Sequence, residues 1–309
     1  MRFERILLFG GTGMVGRSIK KRFSIEKINI LSPTRNEVNL FDKNQIENYL
    51  YLKKPDLIIN AAGRVGGILF NVNNNYDSLI ENSQIGINLI STAYKCGVEN
   101  FLNISSSCVY PNNYEIPIKE TELLCGPLEP TNEGYALSKV LAIKACDFID
   151  SKNSNMNYKT IIPCNLYGPG DKFEVDNSHL IPGVISKMHL ALVNSFPNVK
   201  MWGDGSARRE FLYVDDLSDF ILFILNKKFK SLQTKINVGF GRDFTVNQYY
   251  ELISKIVGYK GEIIKDLTKP TGMKRKLMDG FIVDKMKWKP THSMEEGIRK
   301  TYKHYLSKL

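Results

Sequence analysis

The chain has no long apolar run, no paired-cysteine spacing, few histidines and a shortage of acid, and each lack excludes something. Across 309 residues, 43% apolar and 24% charged, no stretch approaches the roughly 20 apolar residues that a membrane helix needs. No membrane partner is therefore expected. The opening MRFERILLFGG lacks the hydrophobic segment and small-residue cleavage site of a secretory signal, so a cytoplasmic location is expected. Five cysteines (Cys96, Cys108, Cys125, Cys146, Cys164) are odd in number and show no C-x-x-C spacing. That pattern argues against a disulfide framework and against a zinc site, so no metal is expected. Lysine and arginine number 42 against 32 acids, a net charge of +10. The basic residues are scattered rather than gathered into a stripe interleaved with aromatics, so no nucleic-acid partner is expected. An anionic small substrate accounts for the charge as well, and so does an AT-rich coding sequence. With only four histidines and two tryptophans, a histidine or tryptophan set in a polar motif stands out.

What is present is an alternation of apolar runs and helix-length segments. RILLFG (5–10), INILSPT (28–34), PDLIINAAG (55–63), VENFLNISSS (98–107) and YKTIIPCNLYG (158–168) read as strands, several buried on both faces, most of them separated by helices; the first helix runs from about Met14 to Phe23. This predicts an α/β fold: a Rossmann-type, doubly wound parallel sheet with a smaller C-terminal α/β lobe. Residues 1–168 form the dinucleotide-binding domain, completed by about 211–240, and 169–210 with 241–309 form the substrate lobe. FLYVDDLSDFILFIL (211–225) reads as a strand and a helix capped by Asp215 or Asp216, KINVGF (235–240) as a strand, and TVNQYYELISKIVG (245–258) as a helix closed by glycine.

GGTGMVG sets Gly10, Gly13 and Gly16 between the first strand and its helix, with Thr12, Met14 and Val15 in the same turn. Glycines there permit a tight turn, close approach of backbone N–H groups to a pyrophosphate, and close helix packing. The plain alternative is a glycine-rich turn without a ligand. An enzyme that prefers NAD usually ends its second strand with an acid; this chain has SPTRNE, with Arg35 there and no acid before Glu37. A guanidinium suits a 2′-phosphate, which favours NADP(H), although a solvated arginine would look the same.

Tyr135 and Lys139 in YALSK stand four apart on one helix face. A neighbouring ammonium would lower the phenol's pKa and make Tyr135 a proton donor and acceptor. Ser106, at the end of the preceding strand, could meet the carbonyl that Tyr135 protonates.

GGTGMVG, NAAG (60–63), SSSCVYP, YALSK and FLYVDD, in that order, resemble the extended short-chain dehydrogenase/reductase family, over nearly the whole chain. VGGI (65–68), LEPTNEGYALSK (128–139), NLYGPGDKF (165–173), NSHLIP (177–182), MWGDGSARREFLYVDD (201–216) and RKLMD (275–279) are similar to its branch of GDP-4-keto-6-deoxymannose 3,5-epimerase/4-reductases. The resemblance implies Ser106, Tyr135 and Lys139 as a reductase triad. It implies Cys108 and His179 as the pair that inverts C3 and C5. A thiol can remove a proton acidified by the 4-keto group, and an imidazole can return one.

The resemblance adds Ala61, Ala62, Gly63, Ser105, Pro163, Asn165, Leu166 and His179 to the cofactor site. It adds Val65, Ser107, Cys108, Asn165, Lys187, Trp202, Arg209 and Lys276 to the site of a GDP-linked 4-keto sugar. Arg and Lys would neutralise the diphosphate and the indole would cover a ring. Arg208 and Arg209 are adjacent, and which points inward is open. Lys187 stands where the family often has arginine; Arg64 and Gly134 lie near the reacting sugar. A homodimer is implied through helices near 82–97 and 135–150, with Ile85, Leu89, Ala93, Leu141 and Ala145 as apolar positions. Two alternatives stay open. One is a C4 reductase alone, on a GDP-4-keto-heptose derivative for surface polysaccharide; the other is a non-catalytic NADP-binding regulator.

Overall fold

The computed structural model describes residues 3–114, 116–174, 178–269 and 273–309; Asn177 of the NSHLIP motif lies outside them. In chain order the elements begin with β1 (Ile6–Phe9), α1 (Met14–Ile25), β2 (Ile30–Leu31), α2 (Lys43–Lys53), β3 (Leu57–Asn60), α3 (Ile68–Asn73), α4 (Asn75–Lys95) and β4 (Asn100–Ile104). Next come α5 (Glu133–Lys152), β5 (Asn157–Pro163), β6 (Asn165–Tyr167), α6 (Leu180–Val193), β7 (Asn198–Trp202), β8 (Arg208–Arg209) and β9 (Phe211–Tyr213). The chain ends with α7 (Val214–Leu225), β10 (Lys235–Val238), β11 (Phe244–Thr245), α8 (Val246–Val257), β12 (Glu262–Asp266), β13 (Arg275–Lys276), α9 (Phe281–Lys285) and α10 (Met294–Leu306).

Six strands form one parallel sheet in the order β2-β1-β3-β4-β5-β10. Successive residues face opposite ways, so Ile6 and Leu8 enter one core with α1 and α7, while Leu7 and Phe9 enter another with α2 and α4. Burial on both faces is why these strands read as unbroken apolar runs. The chain leaves β1 toward β2 on one side and returns to β3 on the other. The carboxyl ends of β1 and β3 therefore flank the crevice where doubly wound sheets bind ligands.

A third core, built from α6, α8, α10, β7 and β9, carries the other lobe. Small sheets β11-β8-β13 and β12-β7 lie there, and β6 pairs with β9. The run 158–168 is thus two strands: β5 stays in the main sheet and β6 leaves it. Helix α8 ends at left-handed Gly258, as its sequence predicts, and it opens with Thr245 in a capping box with Gln248. Helix α7 is different. Its N-cap is Tyr213, with no side-chain cap. Asp215 instead accepts from Ser18 Oγ at 2.6 Å and Lys21 Nζ at 2.8 Å. Asp216 accepts from Thr291 and His292. The expected cap fails because both carboxylates are drawn to tertiary partners, one in α1 and one before α10.

Candidate active site

Gly10 has φ +82°, and a Cβ there would collide with the Ala61 carbonyl at the end of β3; one at Gly16 would collide with the Gly10 carbonyl. The turn is therefore pressed against the β1/β3 crevice as only glycine allows. Gly13 is different, because its Cβ would meet only the Gly10 carbonyl, at 3.5 Å. Its missing side chain leaves open space at the start of α1, a helix whose first turn has no side-chain cap and no acid. Those N–H groups suit a pyrophosphate. Ser105 Oγ is buried without a hydrogen-bond partner among the described residues, which also fits a bound cofactor.

Beyond β2, Arg35 is exposed in the turn. Glu37, two residues on, accepts from the Thr34 backbone N–H at 2.7 Å and from Thr34 Oγ1 at 2.8 Å, and those bonds lower its pKa. An acid folded back on its own turn is spent locally, and the open arginine suits a 2′-phosphate. Ser32, which the sequence reading passed over, sits so close that a Cβ on Gly11 would strike its hydroxyl.

Helix α5 packs against the single turn Ser107–Val109 that follows β4, bringing the catalytic candidates together. Ser106 starts that turn, and its Oγ accepts from the Cys108 backbone N–H at 3.4 Å. Lys139 Nζ lies 5.6 Å from the centre of the Tyr135 ring, donates to the Ile104 carbonyl at 3.5 Å, and is 3.4 Å from where a Cβ on Gly63 would stand. Tyr135 and Lys139 are both buried. The lysine-lowered phenol expected from the sequence is not what the structure contains: burial raises the Tyr135 pKa and lowers that of Lys139. Desolvation opposes both charges, and Cys108 adds to its effect on the phenol, leaving a neutral phenol that can give a proton.

Cys108 is buried, which raises its pKa; Lys276, hydrogen bonding with Ser106, and Lys139 pull the other way. Lys276 connects this group to a cavity of about 290 Å³ whose walls include Asn165, His179, Trp202, Arg209 and Lys276. Strand β13 sets Lys276 opposite Arg209 on β8. Burial lowers Arg209 below the usual guanidinium and brings Lys276 to about 8. Both cations face a cavity that Glu129 also lines, and its carboxylate offsets part of their desolvation. The adjacent Arg208 is held by Asp243, with NH2 at 2.8 Å and Nε at 3.0 Å from Oδ1. The inward member of the pair is Arg209.

The profile of the NAD dependent epimerase/dehydratase family matches residues 6–239. The chain belongs to that family. Among curated relatives, GDP-L-colitose synthase of Yersinia pseudotuberculosis is 45% identical, over 98% of each chain. GDP-L-fucose synthase of Azorhizobium caulinodans is 40% identical, over 98% of this chain and 97% of its own. Among solved structures, a GDP-mannoheptose C4 reductase from Campylobacter jejuni with NADP bound is 26% identical, with a TM-score of 0.87 over 98% of both chains.

In this member of the epimerase/dehydratase family, some expected site residues fall outside the cavity lining. Lys187 lies on α6 with Nζ donating to the Lys200 carbonyl at 2.8 Å and does not line it. Val65 is exposed, its carbonyl accepting from Lys172 Nζ at 3.1 Å; Gly66 and Gly67 line the cavity in its place. Ser107 is buried beside Cys108. Pro163 ends β5 and Leu166 packs against the core, while Thr12, Met14, Val15 and Ala62 stay with the two glycine-bordered turns. The sequence reading missed Asn71, Asn132, Ser178 and Tyr250 in the lining. Asn132, three residues before Tyr135, and Ser178, beside His179, had a local signal. The others come from segments that only folding brings together.

Proposed function

We propose that this chain is an NADP(H)-dependent oxidoreductase that reduces C4 of a GDP-linked 4-keto-6-deoxy sugar, and that Cys108 and His179 also invert the carbons flanking the ketone. The observation that carries the reading is the meeting of two groups. The Ser106–Tyr135–Lys139 cluster, with its tyrosine and lysine buried, is linked through Cys108 and Lys276 to a cavity with Arg209 and Trp202 in its wall. Bound NADPH supplies the hydride to C4. Tyr135, neutral in its buried setting, gives the ketone oxygen its proton. Ser106 already accepts from the Cys108 N–H, which leaves its hydroxyl hydrogen to polarise the same oxygen. Lys139 holds the tyrosine and the cofactor ribose. Arg209 and Lys276 take the diphosphate, and Trp202 covers a ring.

The sheet portion, 1–168 with about 211–240, holds the cofactor in this proposal, and 169–210 with 241–309 hold the nucleotide sugar. Consumption of NADPH with each GDP-4-keto sugar, followed by mass spectrometry of the product, tests the reductase. Inversion is tested in D2O without NADPH: deuterium should enter C3 or C5, and should be lost in Cys108→Ser. One observation favours reduction alone, because burial raises the Cys108 pKa. In that case no deuterium enters, and a GDP-4-keto-heptose derivative becomes the better substrate.

We also propose a cytoplasmic homodimer. Ile85, Leu89 and Ala93 are buried within the chain and Ala145 partly so, so the dimer face would be the exposed Leu137, Leu141 and Phe148 of α5 with Tyr76 and Ile80 of α4. Leu141→Glu should convert the dimer to monomer in sedimentation velocity.

A further inference from the structure

Asparagine before a helix ordinarily uses its side-chain oxygen to accept an N–H of the first turn. Asn132 stands at that position of α5 and makes no such bond. The work is done from a distance. Asn75, at the start of α4, donates through Nδ2 to the Pro130 carbonyl at 3.1 Å and accepts the Gly134 N–H through Oδ1 at 2.7 Å. A Cβ on Gly134 would collide with the Asn75 backbone carbonyl, so glycine is what admits this outside cap.

Asn132 is thereby released. It lines the cavity, and its Oδ1 is buried with no hydrogen-bond partner among the described residues. Ser178, next to His179, repeats the pattern: it lines the same cavity, and its Oγ is buried without a partner among those residues. Buried polar atoms are seldom left unpaired, because a lost partner costs the full desolvation of the group. An amide oxygen accepts only, so the missing partner of Asn132 is an O–H or N–H donor and not a phosphate oxygen.

We infer that Asn132 and Ser178 form a hydroxyl-reading subsite for the glycosyl ring, with one sugar hydroxyl donating to Asn132 Oδ1 and another accepting from Ser178 Oγ–H. The inference rests on the GDP-sugar reading and makes the pair specificity determinants. A site built to bond a hydroxyl discriminates strongly against ligands that lack it, since its own buried groups are then stranded.

Calorimetry with GDP and with GDP-mannose, which carries hydroxyls but no ketone to turn over, tests this in the presence of NADP+. The wild type should prefer GDP-mannose. Asn132→Ala and Ser178→Ala should each reduce that preference by about tenfold, a loss of one good hydrogen bond, with GDP and NADP+ affinities unchanged. Asn132→Asp, which retains an acceptor, should keep most of the preference. The urea midpoint of Asn132→Ala should match the wild type, because no cap is lost. An unchanged preference, a selective loss of NADP+ affinity, or a fall in midpoint typical of a lost cap would each overturn the subsite. A wild type that binds no GDP would remove the GDP-sugar reading and this inference with it.

Discussion

Replacing Lys276 with methionine should make the protein more stable and the enzyme worse. Burial brings Lys276 from the ordinary 10.5 to about 8, with Arg209 adding repulsion and Cys108, Cys164 and Glu129 opposing it. At about 1.4 kcal/mol per pKa unit, holding the ammonium there at neutral pH destabilises the fold by ~3 kcal/mol. Methionine keeps the length and apolar bulk without the charge. The sign follows from linkage: between about 8 and 10.5 the unfolded chain binds this proton and the native chain does not, so wild-type stability rises with pH across that window. Urea midpoints at pH 7 should therefore favour Lys276→Met by ~3 kcal/mol, and the gap should narrow by a similar amount by pH 10. GDP should narrow it too, because a diphosphate restores the ammonium its partner. A variant no more stable than wild type at pH 7, or a gap independent of pH, would refute the reasoning.

Tyr135→Phe should lower NADPH-dependent turnover by roughly 10²–10⁴-fold while leaving NADP+ affinity, measured by fluorescence titration, close to wild type. Arg35→Ala should reduce the preference for NADPH over NADH by about tenfold, the worth of a charge-assisted bond to phosphate; an unchanged ratio of kcat/KM values would show that the arginine is merely solvated. Gly134→Ala pushes a methyl group into the Asn75 carbonyl and should lower stability by about 1–3 kcal/mol, read as a lower urea midpoint.

The parallel sheet was legible because burial on both faces demands continuous apolar runs, and the glycine turn because Gly10 and Gly16 touch backbone a few residues or one strand away. Helix α8 was legible because its terminal glycine is a local signal. Asp215 and Asp216 misled because a carboxylate before a helix looks like a cap whether or not Ser18, Lys21, Thr291 and His292 are waiting for it.

The amino-acid sequence by itself determined the elements, the family's motifs and the chemical types available for catalysis. Only the tertiary structure decided which of those groups work where. Arg209 faces the cavity because Asp243 holds Arg208. Lys276 stands opposite Arg209 because β13 pairs with β8. Tyr135 stays neutral because the fold buries its phenol. Asn132 is free for a ligand because an asparagine 57 positions earlier caps its helix instead. Each outcome turns on distances and dielectric between segments far apart in the chain, and residue spacing carries no information about either.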